Sequence, residues 1–260
     1  MHATVARAVE ETLVIESTAT HPLAARPAYS DAARDVLAQL DLRLDAVEAR
    51  VFASDAWRAL TSADTDPRLV RALLREVMLS VHQYQPLTTE AGFTMLGRLP
   101  KHEGKLLSSL LAHKAEEAEH SGWARRDAEL LGDGREKERS QCSPANFAVA
   151  AVWQRLATTE DPFGYLGAEY LFEALTMRLT PRAHEAALRH GVPASAIGFI
   201  VEHATEDVKH TNLVVHWILD VATRYPSSGE AMLRAFDYFA HVYPIPVWDE
   251  ALDRARIALG

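Results

Sequence analysis

The stretch EHATEDVKHTNLVVHW, residues 202–217, predicts a helix that carries ionisable side chains on its buried face. Steps of three and four residues along this helix trace one stripe, whose outer members are apolar, as in a core-facing helix. The three central members can all ionise, and a buried charge requires a partner or a metal. The stripe consists of Ile200, His203, Asp207, His210, Val214, Trp217 and Val221.

A second segment, 103–132, repeats this pattern. Glu117 and His120 lie one turn apart on its predicted buried stripe, whereas Glu116 and Glu119 fall off the stripe and are expected in solvent. An inward-facing E-x-x-H pair is the arrangement of di-iron sites in helical bundles, and the D-x-x-H fragment of the first helix repeats its spacing with a shorter carboxylate. The full stripe is Leu106, Leu110, His113, Glu117, His120, Ala124, Asp127 and Leu131.

A helix with such a pair normally faces another helix that donates a single carboxylate. With a rise of about 1.5 Å per residue, Glu173 reaches nearly the height of Asp207 and His210 when both are counted from the intervening RHGVP turn. Glu169, one turn earlier, competes with Glu173 for this role. The second half of the chain therefore predicts one carboxylate donor opposite the D-x-x-H helix.

For the first half of the chain, Glu90 is the predicted carboxylate donor. It comes level with Glu117 when both are counted from the break between their helices, whereas Glu76 would lie about 20 Å off this level and His82 about 10 Å. The alternative to a metal site is a buried ion-pair network, with His203 against Glu173 or Glu117 against an arginine. The predicted metal ligands are Glu90, Glu117, His120, Glu173, His203, Asp207 and His210.

The composition narrows the class of protein. The chain has 260 residues, 48% of them hydrophobic and 24% charged, which is typical of a soluble globular domain with a full core. A net charge of -9 argues against nucleic acid as a partner. No apolar run approaches the roughly 18 residues of a membrane-spanning helix, and no signal-peptide core precedes the helices. A single cysteine, Cys142, leaves no internal disulfide or CxxC metal site and favours a reducing cytoplasm.

Helical periodicity recurs from residue 31 to the end and alternating β-type runs are scarce, so the predicted class is all-α. Residues 1–30 are expected to form a loosely attached lead segment, and 31–260 a single domain. Pro86 should kink its helix, and Pro181 should kink or split its own. Pro244 and Pro246 interrupt the last helical stretch. The predicted helices span 31–53, 67–99, 103–132, 144–158, 162–190, 194–224 and 228–257.

Three stretches resemble signatures of the haem-oxygenase-like di-iron oxidases, also called iron-containing redox enzymes. They are HKAEEAEHSGWARRDAELLG (113–132), LGAEYLFEAL (166–175) and FIVEHATEDVKH (199–210), within a resemblance that covers about residues 70–220. It implies a bundle of about seven helices with the metal site between the core helices. The iron ligands that it implies are Glu117, His120, Glu173, Asp207 and His210, with His203 as an additional ligand. Glu90 is the implied ligand whose surrounding sequence resembles the family least closely.

The resemblance also implies an activity. Such enzymes use two ferrous ions and dioxygen to oxidise a small amine-, amino-acid- or fatty-acid-like substrate, by N-oxygenation or by oxidative C–C cleavage or desaturation. Manganese suits the same ligands, because geometry and availability decide between the two metals. An external electron donor and a homodimer are both compatible with this interpretation. The predicted walls of the substrate pocket are Tyr84, Phe93, Trp123, Tyr170 and Phe199.

Other functions remain open on the same fold. They are a cofactor-poor thiaminase-like hydrolase, a quinone-biosynthesis-like protein and a non-catalytic iron-binding protein. The hydrolase requires a nucleophilic cysteine in the pocket, whereas Cys142 lies in a charged loop before Pro144, away from both stripes. A ferritin-like bundle is the structural alternative, and the D-x-x-H helix with His203 one turn earlier favours the haem-oxygenase-like arrangement over it.

Overall fold

The computed structural model describes residues 22–132 and 142–260, except residue 27 and the side chains of 25, 159, 204 and 205. Within these ranges the chain is helical and contains no β-strand, so the predicted all-α class is confirmed. Three short 3₁₀ turns, Pro22–Ala25, Pro162–Gly164 and Ala194–Ala196, join the longer elements. The α-helices are α1 (Asp31–Ala53), α2 (Asp55–Thr61), α3 (Pro67–Leu96), α4 (Gly104–Glu117), α5 (His120–Leu131), α6 (Pro144–Thr159), α7 (Tyr165–Arg189), α8 (Gly198–Arg224), α9 (Ser228–Ala240) and α10 (Ile245–Leu259).

Local capping chemistry explains where several helices begin. Four of them start after a side chain that accepts a hydrogen bond from a backbone N–H in the first turn, which satisfies a donor that the helix leaves free. Pro67 and Pro144 occupy the first helical position, where the missing N–H costs nothing. The capping residues are Ser30, Ser54, Asp66 and Ser143.

The structure differs from the predicted helices at two places. The segment 103–132 forms two helices, because the chain turns between Glu117 and His120. The last stretch divides into α9 and α10 at Pro244, so the predicted interruption by Pro244 and Pro246 is confirmed. Helix α2 was not predicted, since its seven residues are too few to display a clear period. Pro181 does not split α7, which runs unbroken from Tyr165 to Arg189.

Helices α7 and α8 form the most extensive helix pair of the bundle, and α3 packs against α5, α6 and α10. The turn after α7 is closed by Gly191, which adopts φ of 77°, and the Val192 N–H donates to the Ala187 carbonyl at 3.0 Å. This Schellman-type ending reverses the chain and returns α8 along α7. On its other side α7 touches α9 so closely at Gly167 that a Cβ there would lie 1.9 Å from the Met232 carbonyl oxygen.

The predicted lead segment lies mostly outside the described residues. Of its described part, Ala24 and Tyr29 are buried, and the Ser30 N–H donates to Thr223 Oγ1 at 3.1 Å. Arg34 on α1 donates to the Ala24 carbonyl at 2.8 Å. Residues 22–30, where described, are therefore held against α1 and α8. In the described ranges, no helix combines the length and apolar character needed to cross a membrane.

Candidate metal centre

Seven histidine and acidic side chains converge in the core between four helices. All seven are buried, and none has more than 7% of its surface exposed. They come from α4, α5, α7 and α8, so the site is assembled from both halves of the chain. The seven residues are His113, Glu117, His120, Glu173, His203, Asp207 and His210.

A group of four, His113, Glu117, Glu173 and His210, has the tightest geometry. One potential ligand atom from each lies within 4.8 Å of all the others. His210 Nδ1 is 3.4 Å from Glu117 Oε1 and 3.6 Å from Glu173 Oε2, and His113 Nε2 is 3.3 Å from Glu173 Oε1. Carboxylate oxygens and imidazole nitrogens at this spacing can converge on a cation.

Glu117 joins this group to the remaining residues. Its Oε1 faces His210, whereas its Oε2 lies 2.9 Å from His120 Nδ1 and accepts a hydrogen bond from Gln85 Nε2 at 2.8 Å. Burial would raise the pKa of Glu117, but the neighbouring His120 outweighs it and lowers the pKa below its ordinary value. An ionised carboxylate therefore stands between two imidazoles that lie on different helices.

His203 is held as a neutral imidazole. Burial first, and then the nearby His120, lowers the pKa of His203 to about 4. Its Nδ1 lies 2.7 Å from the Phe199 carbonyl oxygen, and because a carbonyl can only accept, the ring proton must reside on Nδ1. Nε2 therefore keeps its lone pair, as in a metal-binding histidine oriented by a backbone carbonyl.

Several polar atoms of the cluster have no hydrogen-bond partner among the described residues, which tests whether a metal would fit. Asp207 Oδ2 and the Nδ1 atoms of His120 and His210 are buried there without a hydrogen bond. His120 Nδ1 is near Glu117 but out of line for bonding. Burial, and then the carboxylates of Glu173 and Glu117, raise the pKa of Asp207 well above its ordinary value. Unsatisfied buried groups are costly, and a divalent cation among these donors would satisfy them, so the residues fit iron or manganese.

A family model described as iron-containing redox enzyme matches residues 83–243, more than half of the chain. The chain belongs to this family. The comparison with curated proteins finds no match.

Two solved structures share the fold of this chain. A domain of unknown function with a haem oxygenase-like fold from Shewanella denitrificans has a TM-score of 0.74 and 18% identity, covering 86% of this chain and 95% of that one. A TenA homologue from Pseudomonas syringae pv. tomato has a TM-score of 0.58 and 16% identity, covering 87% and 94%. The predicted haem-oxygenase-like fold is confirmed.

Beside the cluster lies a group of buried residues, His113, Lys114 and Glu169, whose contacts were not predicted from the sequence. His113 Nε2 lies 2.8 Å from Glu169 Oε1, and Lys114 Nζ bonds to the same oxygen. Burial would lower the pKa of His113, but Glu169 and Glu173 outweigh it and raise the pKa to about 9. His113 was on the predicted buried stripe but was not among the predicted metal ligands, and its place four residues before Glu117 was the available signal. Glu169, the competitor of Glu173, orients His113.

The structure does not bring Glu90 to the cluster. Its side chain is exposed on α3, and Gln85 occupies the position opposite Glu117. Five residues separate the two, and at about 100° per residue this turns Glu90 to roughly the opposite side of the helix. Glu90 was therefore predicted about 7.5 Å from the height of the actual partner, and the face of the helix was not considered. The other six predicted ligands all lie in the buried cluster.

Only part of the predicted substrate pocket lines the cavity that adjoins the cluster. This cavity, of about 110 Å³, is bounded by Tyr84 and Phe199 but not by the other three residues. Phe93 is 43% exposed, and the Tyr170 hydroxyl is directed to Asp41 on α1. Trp123 lies over the His120 ring at a centroid distance of 4.7 Å and is partly exposed. Trp123 thus covers a histidine of the cluster from outside the cavity.

Asp127 ties the helix of His120 to the helix of His203. It is 1% exposed, and its Oδ2 accepts the Phe199 N–H at 2.6 Å, with a further backbone bond from Gly198. These are free donors in the first turn of α8, so Asp127 on α5 caps a different helix. Phe199 in turn stacks on His203 at a centroid distance of 3.9 Å. Asp127 therefore positions His203 through the start of α8.

Replacing Asp127 with alanine should lower the free energy of unfolding by about 1–3 kcal/mol, because two buried N–H groups lose their acceptor. Asp127→Asn should lose less, since the amide oxygen can still accept one bond. Urea unfolding followed by circular dichroism would measure both variants. An alanine variant as stable as the wild type would show that this contact does not hold α8.

Proposed function

We propose that this family member is a non-haem di-iron oxidase or oxygenase that uses dioxygen to oxidise a small amine-, amino-acid- or fatty-acid-like substrate. The observation that carries the proposal is the placement of Glu117, whose two oxygens face imidazoles on different helices, His210 at 3.4 Å and His120 at 2.9 Å. A carboxylate with this arrangement suits a position shared by two metal ions.

The other residues divide around Glu117. Glu173 and His210 would hold one ion, with His113 beside them, and His120, His203 and Asp207 would hold the second. Ferrous ions bound in this way supply the electrons with which dioxygen is reduced, and manganese is the alternative metal. Three carboxylates would offset three of the four positive charges that two divalent ions would bring into the core.

The surrounding residues have separate tasks. Gln85 donates to Glu117 and fixes the plane of its carboxylate. Glu169 accepts from His113 and from Lys114, so it holds a proton on His113 Nε2, next to Glu173. The apolar walls of the cavity exclude water from the reacting atoms, which strengthens every electrostatic interaction there. The protein would therefore orient the metal ligands, balance their charge and exclude water from the site.

Two alternatives are compatible with the same fold. A cofactor-poor hydrolase would need a nucleophile in the cavity, but Cys142 is exposed and does not line it. A non-catalytic iron-binding protein would hold iron without consuming dioxygen. Only the consumption of dioxygen distinguishes an oxidase from this second alternative.

The testing experiment is anaerobic titration of metal-free protein with ferrous iron, followed by rapid mixing with oxygenated buffer. We expect uptake of about two irons per chain, from the two donor groups on either side of Glu117, and then a transient visible absorption band with consumption of dioxygen. Iron uptake without dioxygen consumption would favour the iron-binding alternative. Absence of iron uptake would leave the cluster as an ion-pair network and overturn the proposal.

A further inference from the structure

Gln85 occupies the place in the metal centre where the sequence predicted a carboxylate. It is buried on α3, with 4% of its surface exposed, and its Nε2 donates to Glu117 Oε2 at 2.8 Å. Together with Glu117, His203 and Asp207 it lines the cavity beside the cluster. A bundle site for two metal ions normally takes one carboxylate from a helix in this position. A neutral amide therefore stands where a charged ligand is expected.

The orientation of the amide follows from its partner. The oxygens of an ionised carboxylate can only accept, so the group of Gln85 that faces Glu117 is the NH₂ and not the carbonyl oxygen. Gln85 Oε1 is buried, and it has no hydrogen-bond partner among the described residues. A buried acceptor without a donor is costly, and a cation beside it would satisfy it. Gln85 thus offers the site a neutral oxygen while its nitrogen holds Glu117.

No further carboxylate compensates for the amide within the described part of the cavity wall. The acidic residues there are Glu117, Glu173 and Asp207. Two acidic side chains close to the cluster have other partners, because Glu169 is bound by Lys114, and Glu116 is half-exposed and bound by Lys209 at 3.1 Å. Two divalent ions would therefore meet one negative charge fewer than in a centre with four carboxylates.

The amide has the opposite effect on the cluster without metal. There Gln85 supplies a donor to Glu117, in a group of side chains that is rich in acceptors. A glutamate at position 85 would bring two carboxylates to about the 2.8 Å that now separates the amide from Glu117, with no donor between them. Such a pair is unfavourable in the core unless a cation lies beside it. Position 85 therefore affects the empty and the loaded site in opposite directions.

We infer that Gln85 sets the metal affinity of the centre: its neutral amide holds Glu117 and stabilises the empty cluster, and it binds the second ion more weakly than a carboxylate would. The second ion is the one on the His120 side, because Gln85 and His120 face the same oxygen of Glu117, Oε2. This inference rests on the proposed function for the two metal positions, whereas the role of Gln85 does not depend on a reaction with dioxygen.

The first test is titration of the metal-free protein with Mn(II), in which electron paramagnetic resonance counts the free ion. We expect Gln85→Glu to lower the Kd of the second ion by about tenfold or more, because it adds a charged ligand. Without metal, the same variant should unfold at a temperature lower by about 5 °C or more. Gln83→Glu is the matched control, since Gln83 lies on α3 but accepts from Asn146 on α6 at 2.7 Å. It should leave the Kd unchanged.

Gln85→Met separates the charge at this position from the hydrogen bond. Methionine has a similar length but gives Glu117 no donor, so the Kd of the second ion should rise about tenfold or more. Equal weakening by Gln85→Glu and Gln85→Met would show that Gln85 acts only as a donor, and an unchanged Kd in both would show that it does not act on the site. Either result would overturn the inference.

The remaining outcomes are also decisive. A Gln85→Glu protein that folds only with Mn(II) present would support the inference, and if it folds under neither condition the result with Gln85→Met decides. A wild type that binds no Mn(II) would contradict the proposed function together with this inference. Binding of two ions by the wild type, with no gain in Gln85→Glu, would contradict this inference alone.

Discussion

Glu117→Ala is expected to lose iron binding, with no more than a trace of the metal retained after anaerobic loading and desalting. The physical reason is that the two oxygens of Glu117 reach both halves of the site, at 3.4 Å from His210 and 2.9 Å from His120. Removal of a side chain that only hydrogen-bonds to a metal ligand typically lowers metal affinity ten- to a hundredfold. Removal of a ligand shared by two ions should lower the affinity more. His210→Ala is expected to behave in the same way.

The controls for this prediction come from the same part of the chain. Glu119→Ala removes a glutamate two residues away whose side chain is exposed, and Cys142→Ala removes the exposed thiol. Both should bind as much iron as the wild type. Circular dichroism would establish that each variant is folded, and colorimetric iron determination would give the metal content. Equal iron in the wild type, Glu117→Ala and His210→Ala would refute the ligand assignment.

The second large effect is expected at Gly167. An alanine Cβ there would lie 1.9 Å from the Met232 carbonyl oxygen and 2.6 Å from the Met232 carbonyl carbon. Both are backbone atoms of α9, so no side-chain rotation can relieve the clash, and α7 and α9 must separate. Overpacking of a core usually lowers the free energy of unfolding by about 1–3 kcal/mol. Because this clash involves backbone atoms, we expect the free energy of unfolding to fall by about 3 kcal/mol or more.

Gly122→Ala is the matched control for this substitution. Gly122 also lies in a helix, but apart from that helix's own backbone and the adjoining residues no described atom is within 4 Å of the position its Cβ would occupy. Alanine should stabilise α5 there by about 0.5–1 kcal/mol, because glycine loses more backbone entropy on folding. Thermal unfolding of the two variants should therefore shift in opposite directions. A melting temperature for Gly167→Ala equal to that of the wild type would mean that α7 and α9 are not in contact as described.

Helix boundaries with strong local signals could be predicted from the sequence. The first helix has its predicted limits, 31–53, because Ser30 caps its start and Ser54 ends it. The break inside 103–132 could not be predicted, since residues 118 and 119 contain no proline or glycine. There the Glu119 N–H bonds to the Glu116 carbonyl at 3.5 Å and the Gly122 N–H to the Glu119 carbonyl at 3.0 Å, a tighter winding that tertiary contacts select.

The candidate site, like the helices, could be predicted only in part. The buried stripe of α8 indicated His203, Asp207 and His210, because ionisable residues on an apolar face stand out in a helical period. The residue of α3 that contacts Glu117 could not be found by counting residues along the helix alone. Gln85 occupies the place that was assigned to Glu90. Which face of a long helix meets another depends on how the two are rotated by packing, and no local pattern records that rotation.

The turn between Glu117 and His120 has a mechanical consequence. His120 lies on α5, and Asp127 of the same helix accepts a hydrogen bond from the first turn of α8, the helix that carries His203. Glu117 lies on the other side of the turn, at the end of α4. The angle between α4 and α5 therefore sets the distance between Glu117 and His120, although only two residues separate them in the sequence. The E-x-x-H spacing, which looks like one helical turn in the sequence, here spans the junction of two helices.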